Sequence, residues 1–331
     1  MKIGRTSASR RRRGLILTAV ALASMATVAS ASSKLTLVAY STPQEAYASI
    51  ISDFGKTPAG KGVTFDQSYG ASGDQSRAVA AGLGADIVAF SLEPDITRLV
   101  QANLVSPDWN KDADHGFVTD SVVVFTVRKG NPKHLKTWAD LIKPGVDVLI
   151  PNWQTSGGAK WDVLAAYGAQ RRQGKSDQQA VDYLKALYKN VSVQDKSARD
   201  ALNTFTAGKG DVLIGYENEA IAARQHHIAV DYVIPTPTIK IENPVAVVKT
   251  TGDLATARAF VSFLHTPKAQ LDFAAKGYRP VNKTILAKKR WRKTYPRVKG
   301  LFDIGTLGGW DYANKTFFDP NNGVLAKIAR G

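Results

Sequence analysis

The run Thr155-Ser156-Gly157-Gly158-Ala159-Lys160-Trp161 constrains this chain more than any other stretch. It follows an apolar, β-branched segment, Val146 to Pro151, that reads as a strand, and it opens a helical pattern reaching Arg171. A serine and two glycines at a helix start leave a hydroxyl and unpaired amides at the positive end of the helix dipole. Such a nest grips an oxyanion with neutral dipoles, and needs no carboxylate and no lysine inside it.

Strand-then-helix units repeat on both sides of this nest, which argues a parallel α/β architecture. Leu35 to Tyr40, Val63 to Gln67 and Asp86 to Phe90 read as strands, each followed by a helical pattern. Ser121 to Val127 is a longer apolar strand ending in the turn Arg128-Lys129-Gly130-Asn131-Pro132. Val191 to Val193 and Val212 to Tyr216 lead into helices starting near Ser197 and Glu217. Tyr232 to Pro235 and Val245 to Lys249 read as the last strands, with helices near Asp253 to Leu264 and Pro267 to Ala275. Beyond Gly277 periodic signals are few, but eight aromatics indicate packing rather than disorder.

The N-terminus reads as an export signal: Arg10 to Arg13 supply a basic region, Gly14 to Met25 a short apolar one, and Ala29-Ser30-Ala31 a cleavage motif. Cleavage is expected before Ser32. Six of the 44 Lys and Arg precede that point, while all 28 Asp and Glu follow it, so the remainder carries a net charge of about +10. The dense cluster Lys288-Lys289-Arg290-Trp291-Arg292-Lys293 reads as a solvated helix face rather than a nucleic-acid patch. The sequence has no cysteine, which excludes disulfides, thiolate metal sites and a lipid-modified N-terminal cysteine. The five histidines show no ligand spacing, so no metal site and no cofactor is expected.

In open parallel sheets ligands bind beyond the carboxyl ends of the strands. Small polar residues recur at those ends: Ser41-Thr42, Ser72-Gly73, Ser156-Gly157-Gly158, Ser197-Ala198 and Tyr216. Four of the five stand at expected helix starts, where each alone reads as an ordinary cap; a shared site requires that they converge. Enzyme motifs are missing. Gly-Ala-Ser72-Gly-Asp is not a nucleophile elbow, no P-loop or G-x-G-x-x-G occurs, and Glu217 and Glu219 diverge on a helix. No catalytic residue is assigned.

At these residues the chain resembles the sulfate-binding proteins of bacterial ABC importers. The likeness runs from Leu35 to Ile328 on an ordered set of stretches. Among them are Tyr69-Gly70-Ala71-Ser72-Gly73, Trp138-Ala139-Asp140-Leu141, the nest itself, Ser197-Ala198-Arg199, Tyr278-Arg279-Pro280 and Gly308-Gly309-Trp310. The resemblance implies a type II periplasmic-binding-protein fold, with two doubly wound lobes joined by hinge strands around a ligand cleft. Residues 32–119 and 236–331, the latter with the C-terminal tail, would form lobe 1, and 120–235 lobe 2. It also implies a dehydrated sulfate or thiosulfate. The Ser41 amide and Ser72 hydroxyl would bind it from one lobe, and Ser156, the Gly157 and Gly158 amides and the Ala198 amide from the other. Arg199 would support the nest from behind. Two positions depart from the family: Ser41 replaces an aspartate used through its amide, and Tyr216 replaces an indole donor, leaving its role as donor or packing residue open. The partners implied are a membrane permease with a cytoplasmic ATPase. The protein would be a soluble, exported monomer, periplasmic or extracellular, with no nucleic-acid partner.

Sulfate is fully ionised at neutral pH and only accepts hydrogen bonds, whereas hydrogen phosphate also needs an acceptor. A donor-rich pocket would leave that proton unpaired, at about 1–3 kcal/mol when buried. Molybdate or phosphate, and an exported polyanion-binding protein using the basic charge, are the alternatives.

Overall fold

The computed structural model describes residues 33–330, with Met1 and Gly4. The chain divides into two units, Met1–Ala31 and Ser32–Gly331. The export signal and its cleavage point lie outside the described residues.

Three strand–helix units open the second unit: β1 (Lys34–Tyr40) with α1 (Gln44–Phe54), β2 (Thr64–Gly70) with α2 (Ser72–Ala80), and β3 (Ile87–Ala89) with α3 (Glu93–Gln101). The long β4 (Phe117–Arg128) precedes β5 (Val148–Leu149), α4 (Gly157–Arg172), α5 (Asp177–Lys189), β6 (Val191–Val193) and α6 (Ala198–Thr206). Then come β7 (Val212–Tyr216), α7 (Glu217–Gln225), β8 (Val230–Val233) and the ten-residue β9 (Thr238–Val247). The chain ends through α8 (Leu254–Leu264), α9 (Pro267–Ala275), β10 (Arg279–Pro280), α10 (Lys283–Leu286), α11 (Lys289–Thr294), β11 (Leu301–Phe302), α12 (Gly309–Phe317) and α13 (Val324–Ala329).

Two parallel half-sheets result, β2-β1-β3 and β7-β5-β6, with β9 and β4 between them in the order β2-β1-β3-β9-β4-β7-β5-β6. β9 runs antiparallel to β3 through Val245–Val247 and to β4 through Lys240–Pro244. β4 in turn pairs with β7 through Val123–Val127. The two long strands therefore join the halves through each other, β9 along the first and β4 along the second. The α/β class expected from the alternation is present, and the antiparallel pair at its centre is what makes it two wound halves instead of one.

Helix α4 shows why its sequence lacks a polar stripe. Every residue from Gly157 to Gln170 except Lys160 is buried, which marks a helix enclosed on all sides. It lies against β9, β7 and α5. The C-terminal aromatics close over it: Trp310 meets Trp161 edge-on at 4.7 Å, and Phe317 meets Tyr167 at 4.6 Å. Burying such rings contributes about 2–3 kcal/mol each, so the tail after Leu301 is part of the core around α4.

Candidate functional site

Three helix starts meet at one small cavity. Ser156 is the N-cap of α4, and its Oγ accepts weakly from the Ala159 N–H at 3.4 Å. Its own amide donates to the Asn152 carbonyl at 2.8 Å. What remains there is the Ser156 hydroxyl proton and the amides of Gly157 and Gly158, which a helix cannot pair internally. Ser197 caps α6, and the Ala198 amide is the first of that helix. Ala71 and Ser72 open α2.

The cavity is small, with room for about one water-sized group. All seven residues expected around the ligand line it: Ser41, Ser72, Ser156, Gly157, Gly158, Ala198 and Tyr216, joined by Tyr40, Ala71, Ser91 and Ser197. None of the lining side chains is ionised; the Tyr216 phenol is buried and its pKa is pushed well above its ordinary value. Larger hollows elsewhere, such as the one between Trp153, Lys189 and Leu325, contain none of these groups.

Ser91, two residues past β3, was not anticipated. Its hydroxyl meets the Tyr216 hydroxyl at 2.5 Å across the cavity. Its carbonyl accepts from Trp161 Nε1 at 2.9 Å and Asn243 Nδ2 at 3.0 Å, and its amide donates to Ser72 Oγ at 2.9 Å. A serine at the carboxyl end of a strand was a signal of the same kind that singled out Ser41, but no cap motif follows it. Asp95 was missed as well. It accepts the Ser72 hydroxyl proton at 2.6 Å and pairs with Arg98 at 3.0 Å. As placed, Ser72 turns its proton to Asp95, and it offers a proton to the cavity only after rotating away.

Arg199 stands behind the cavity. Its guanidinium grips Glu219 through two bonds of 2.7 and 2.8 Å and donates to the Thr42 carbonyl at 3.1 Å. Burial opposes its charge, but the Glu219 carboxylate outweighs this and raises its pKa above the usual value. The arrangement ties α6 to α7 and both to the turn after β1.

The two halves touch beside the cavity. The Gly73 amide donates to the Thr155 carbonyl at 2.9 Å, Arg77 donates to the Gln154 carbonyl at 3.0 Å, and Lys196 pairs with Asp74 at 3.2 Å. Contact is possible because glycines stand at the seam: a Cβ on Gly157 would lie 2.5 Å from Ser91 Oγ, and one on Gly73 would lie 2.9 Å from the Thr155 oxygen. This is a closed cleft with its donors inside.

One carboxyl on α4 bears on the electrostatics. Both oxygens of Asp162 are buried without a hydrogen-bond partner, and burial raises its pKa well above the ordinary carboxylate value. A neutral Asp162 spares an enclosed anion a nearby negative charge. Its folded pKa exceeds its unfolded one, so stability falls as pH rises from about 4, where only the unfolded carboxyl ionises. Denaturant titrations across about pH 4 to pH 8 are expected to show Asp162→Asn gaining on the parent as pH rises; a constant difference would mean the carboxyl is ionised in the fold.

Comparison with known proteins places the chain. Residues 35–279 match the model of the bacterial extracellular solute-binding protein family. A sulfate-binding protein of Synechococcus elongatus is 43% identical over 298 residues, covering 86% of this chain and 83% of the relative. A thiosulfate-binding protein of Pseudomonas aeruginosa is 36% identical over 282 residues, covering 82% and 84%. The solved structure of the sulfate-binding protein SubI from Mycobacterium tuberculosis H37Rv superimposes with a TM-score of 0.84 at 44% identity, covering 87% of this chain and all of that one. Family model, relatives and solved structure agree: the chain belongs to the bacterial extracellular solute-binding proteins and, among them, to the sulfate-binding protein family.

Proposed function

We propose that this protein captures sulfate, with thiosulfate as a second ligand, outside the cytoplasmic membrane and delivers it to an ABC permease driven by a cytoplasmic ATPase. The observation that carries the reading is the convergence of unpaired helix-start amides and serine hydroxyls on one small cavity without a charged lining side chain. Helix N-termini contribute up to about 2 kcal/mol each toward an enclosed anion in partly buried geometry. In this reading residues 32–119 and 236–331 act as one lobe and 120–235 as the other, and closure brings Ser41 and Ser72 over the nest at Ser156. No step in this role requires a catalytic group.

Asp95 favours a second reading. Because it takes the Ser72 proton, Ser72 presents a lone pair and so gives a protonated oxyanion such as hydrogen phosphate the acceptor it needs.

Calorimetric titration of the ligand-stripped protein with sulfate, thiosulfate, phosphate and molybdate at fixed ionic strength separates the readings. One-to-one binding of sulfate without phosphate heat is expected. Ser156→Ala removes a hydrogen bond to a charged ligand and is expected to weaken sulfate binding about tenfold to a hundredfold. Phosphate binding as tight as sulfate would transfer the role to the second reading.

A further inference from the structure

After residue 31, most of the excess positive charge sits in one place. Between Asp272 and Asp303 there is no acidic residue, while Lys283, Lys288, Lys289, Arg290, Arg292, Lys293, Arg297 and Lys299 are all exposed. None of the eight forms an ion pair with a described residue, whereas cations elsewhere on the surface are commonly paired within a few residues, as Lys56 is with Asp53 and Lys143 with Asp140. Eight cations nearly equal the whole net charge of about +10 after residue 31, so the remaining surface is close to neutral.

The patch is rigidly mounted. Trp291 and Tyr295 are buried and stacked, and they pack with Ile221 of α7 and Ala274 of α9. Arg290 lies over the Trp291 ring at 4.6 Å, and the Tyr295 hydroxyl donates to the Ala274 carbonyl at 2.6 Å. Holding like charges this close without counter-charge is unfavourable for folding alone. Beside the patch, a groove opens between Lys293 and Arg224, continuing the positive surface onto α7.

From this charge and its mounting, we infer that the α10–α11 segment is a docking surface for an anionic phospholipid bilayer. The aromatic rings face inward, so they are not offered to stack on bases, as a single-strand nucleic-acid site requires. Among the described residues, α10 and α11 carry no exposed large aromatic or aliphatic side chain of the kind that a tight protein interface is built around. What it offers is a broad field of unpaired cations, which suits a dense layer of lipid phosphates, each basic residue adding its share of attraction within a Debye length. A receptor held in this way would search for its permease along a surface rather than through a volume. The inference stands on the patch and does not depend on which anion fills the cleft.

Co-sedimentation of the chain from Ser32, itself a compact unit, with phosphatidylglycerol-containing and phosphatidylcholine-only vesicles tests it. Binding to the anionic vesicles alone is expected, falling as salt rises. The triple variant Lys288→Gln, Lys289→Gln, Lys293→Gln leaves Trp291 in place and is expected to bind them roughly a hundredfold more weakly. The control Lys61→Gln, Lys136→Gln, Lys209→Gln makes the same change in net charge on other exposed, unpaired lysines and is expected to bind nearly as the parent does. Unchanged anion binding by both variants in the calorimeter shows that each is folded. Equal losses in the two variants, or no preference of the parent for anionic vesicles, would overturn the inference; capture of an acidic protein without vesicle binding would do so too.

Discussion

A single added methyl group, Gly157→Ala, is expected to weaken anion binding by between about tenfold and a hundredfold while leaving the fold intact. The new Cβ would lie 2.5 Å from Ser91 Oγ, 2.6 Å from Ser91 Cβ and 2.9 Å from Leu92 Cδ2. Those atoms follow β3, whereas Gly157 opens α4, so the collision is between the two halves. Ser91 cannot easily give way, because its carbonyl, amide and hydroxyl are all engaged. The cleft must open instead, at the usual overpacking cost of about 1–3 kcal/mol. Opening draws the Gly157 and Gly158 amides and the Ser156 hydroxyl away from Ser41 and Ser72 together, so the loss falls on the bound form. Calorimetry measures the affinity, and thermal melts with and without sulfate isolate the cause. The ligand-free melting temperature should change little, and the increase produced by sulfate should shrink. A Gly157→Ala protein that binds as the parent does would mean the ligand is held in a more open arrangement than this one.

Gly157 also illustrates how the sequence carried the site. Strand endings and helix starts are local chemistry, and so Ser41, Ser72, Ser156, Ala198 and Tyr216 could each be picked out from a few neighbouring residues. That they surround one cavity depends on β4 and β9 joining the two half-sheets, which no local pattern encodes. β9 itself was visible only at its end, as Val245 to Lys249. Its first half alternates buried Ile239 and Ile241 with half-exposed Lys240 and Glu242, and Asn243-Pro244 interrupts the run just where the strand changes partner. Among helices α10 to α13 only α11 was legible, as the solvated face Lys288 to Lys293, and the group was hard to read for another reason. They are short, and α11 and α12 are anchored by aromatic rings, Trp291 on α7 and α9, Trp310 and Phe317 on α4, rather than by a periodic stripe of their own. Ser91 and Asp95 went unnoticed because their roles are defined by partners far away in sequence, Tyr216 and Ser72.

Loss of the Arg279 guanidinium is expected to destabilise the protein more than any change inside the cavity. Arg279 meets Glu217 through two bonds of 2.6 and 2.9 Å, with side chains 12% and 0% exposed, and also donates to the Pro296 carbonyl at 3.1 Å. Burial already pushes the Glu217 carboxyl above its ordinary pKa, and only Arg279 pulls it back. Arg279→Met therefore strands a carboxylate in the interior, which costs about 3–5 kcal/mol and lowers the melting temperature by roughly 5–8 °C in a chain of this size. The deficit has a definite pH dependence. Without its partner, Glu217 has a folded pKa still further above its unfolded value near 4.3, so the penalty grows as pH rises past that value and shrinks below it, where the protonated acid is buried in both proteins. Adding Glu217→Leu to Arg279→Met removes the orphaned charge and should recover most of the loss, because replacing both members of a buried pair is far milder than removing one. The function should respond as well. Glu217 directly follows Tyr216 at the start of α7, and Arg279 fixes that start against β10, so a Glu217 that turns toward water would displace the Tyr216 hydroxyl from Ser91. Denaturant titration at two pH values, with sulfate affinity measured on the same samples, checks both consequences. A single variant that melts like the parent would mean that Glu217 is already protonated in the fold and that the pair is held by neutral hydrogen bonds.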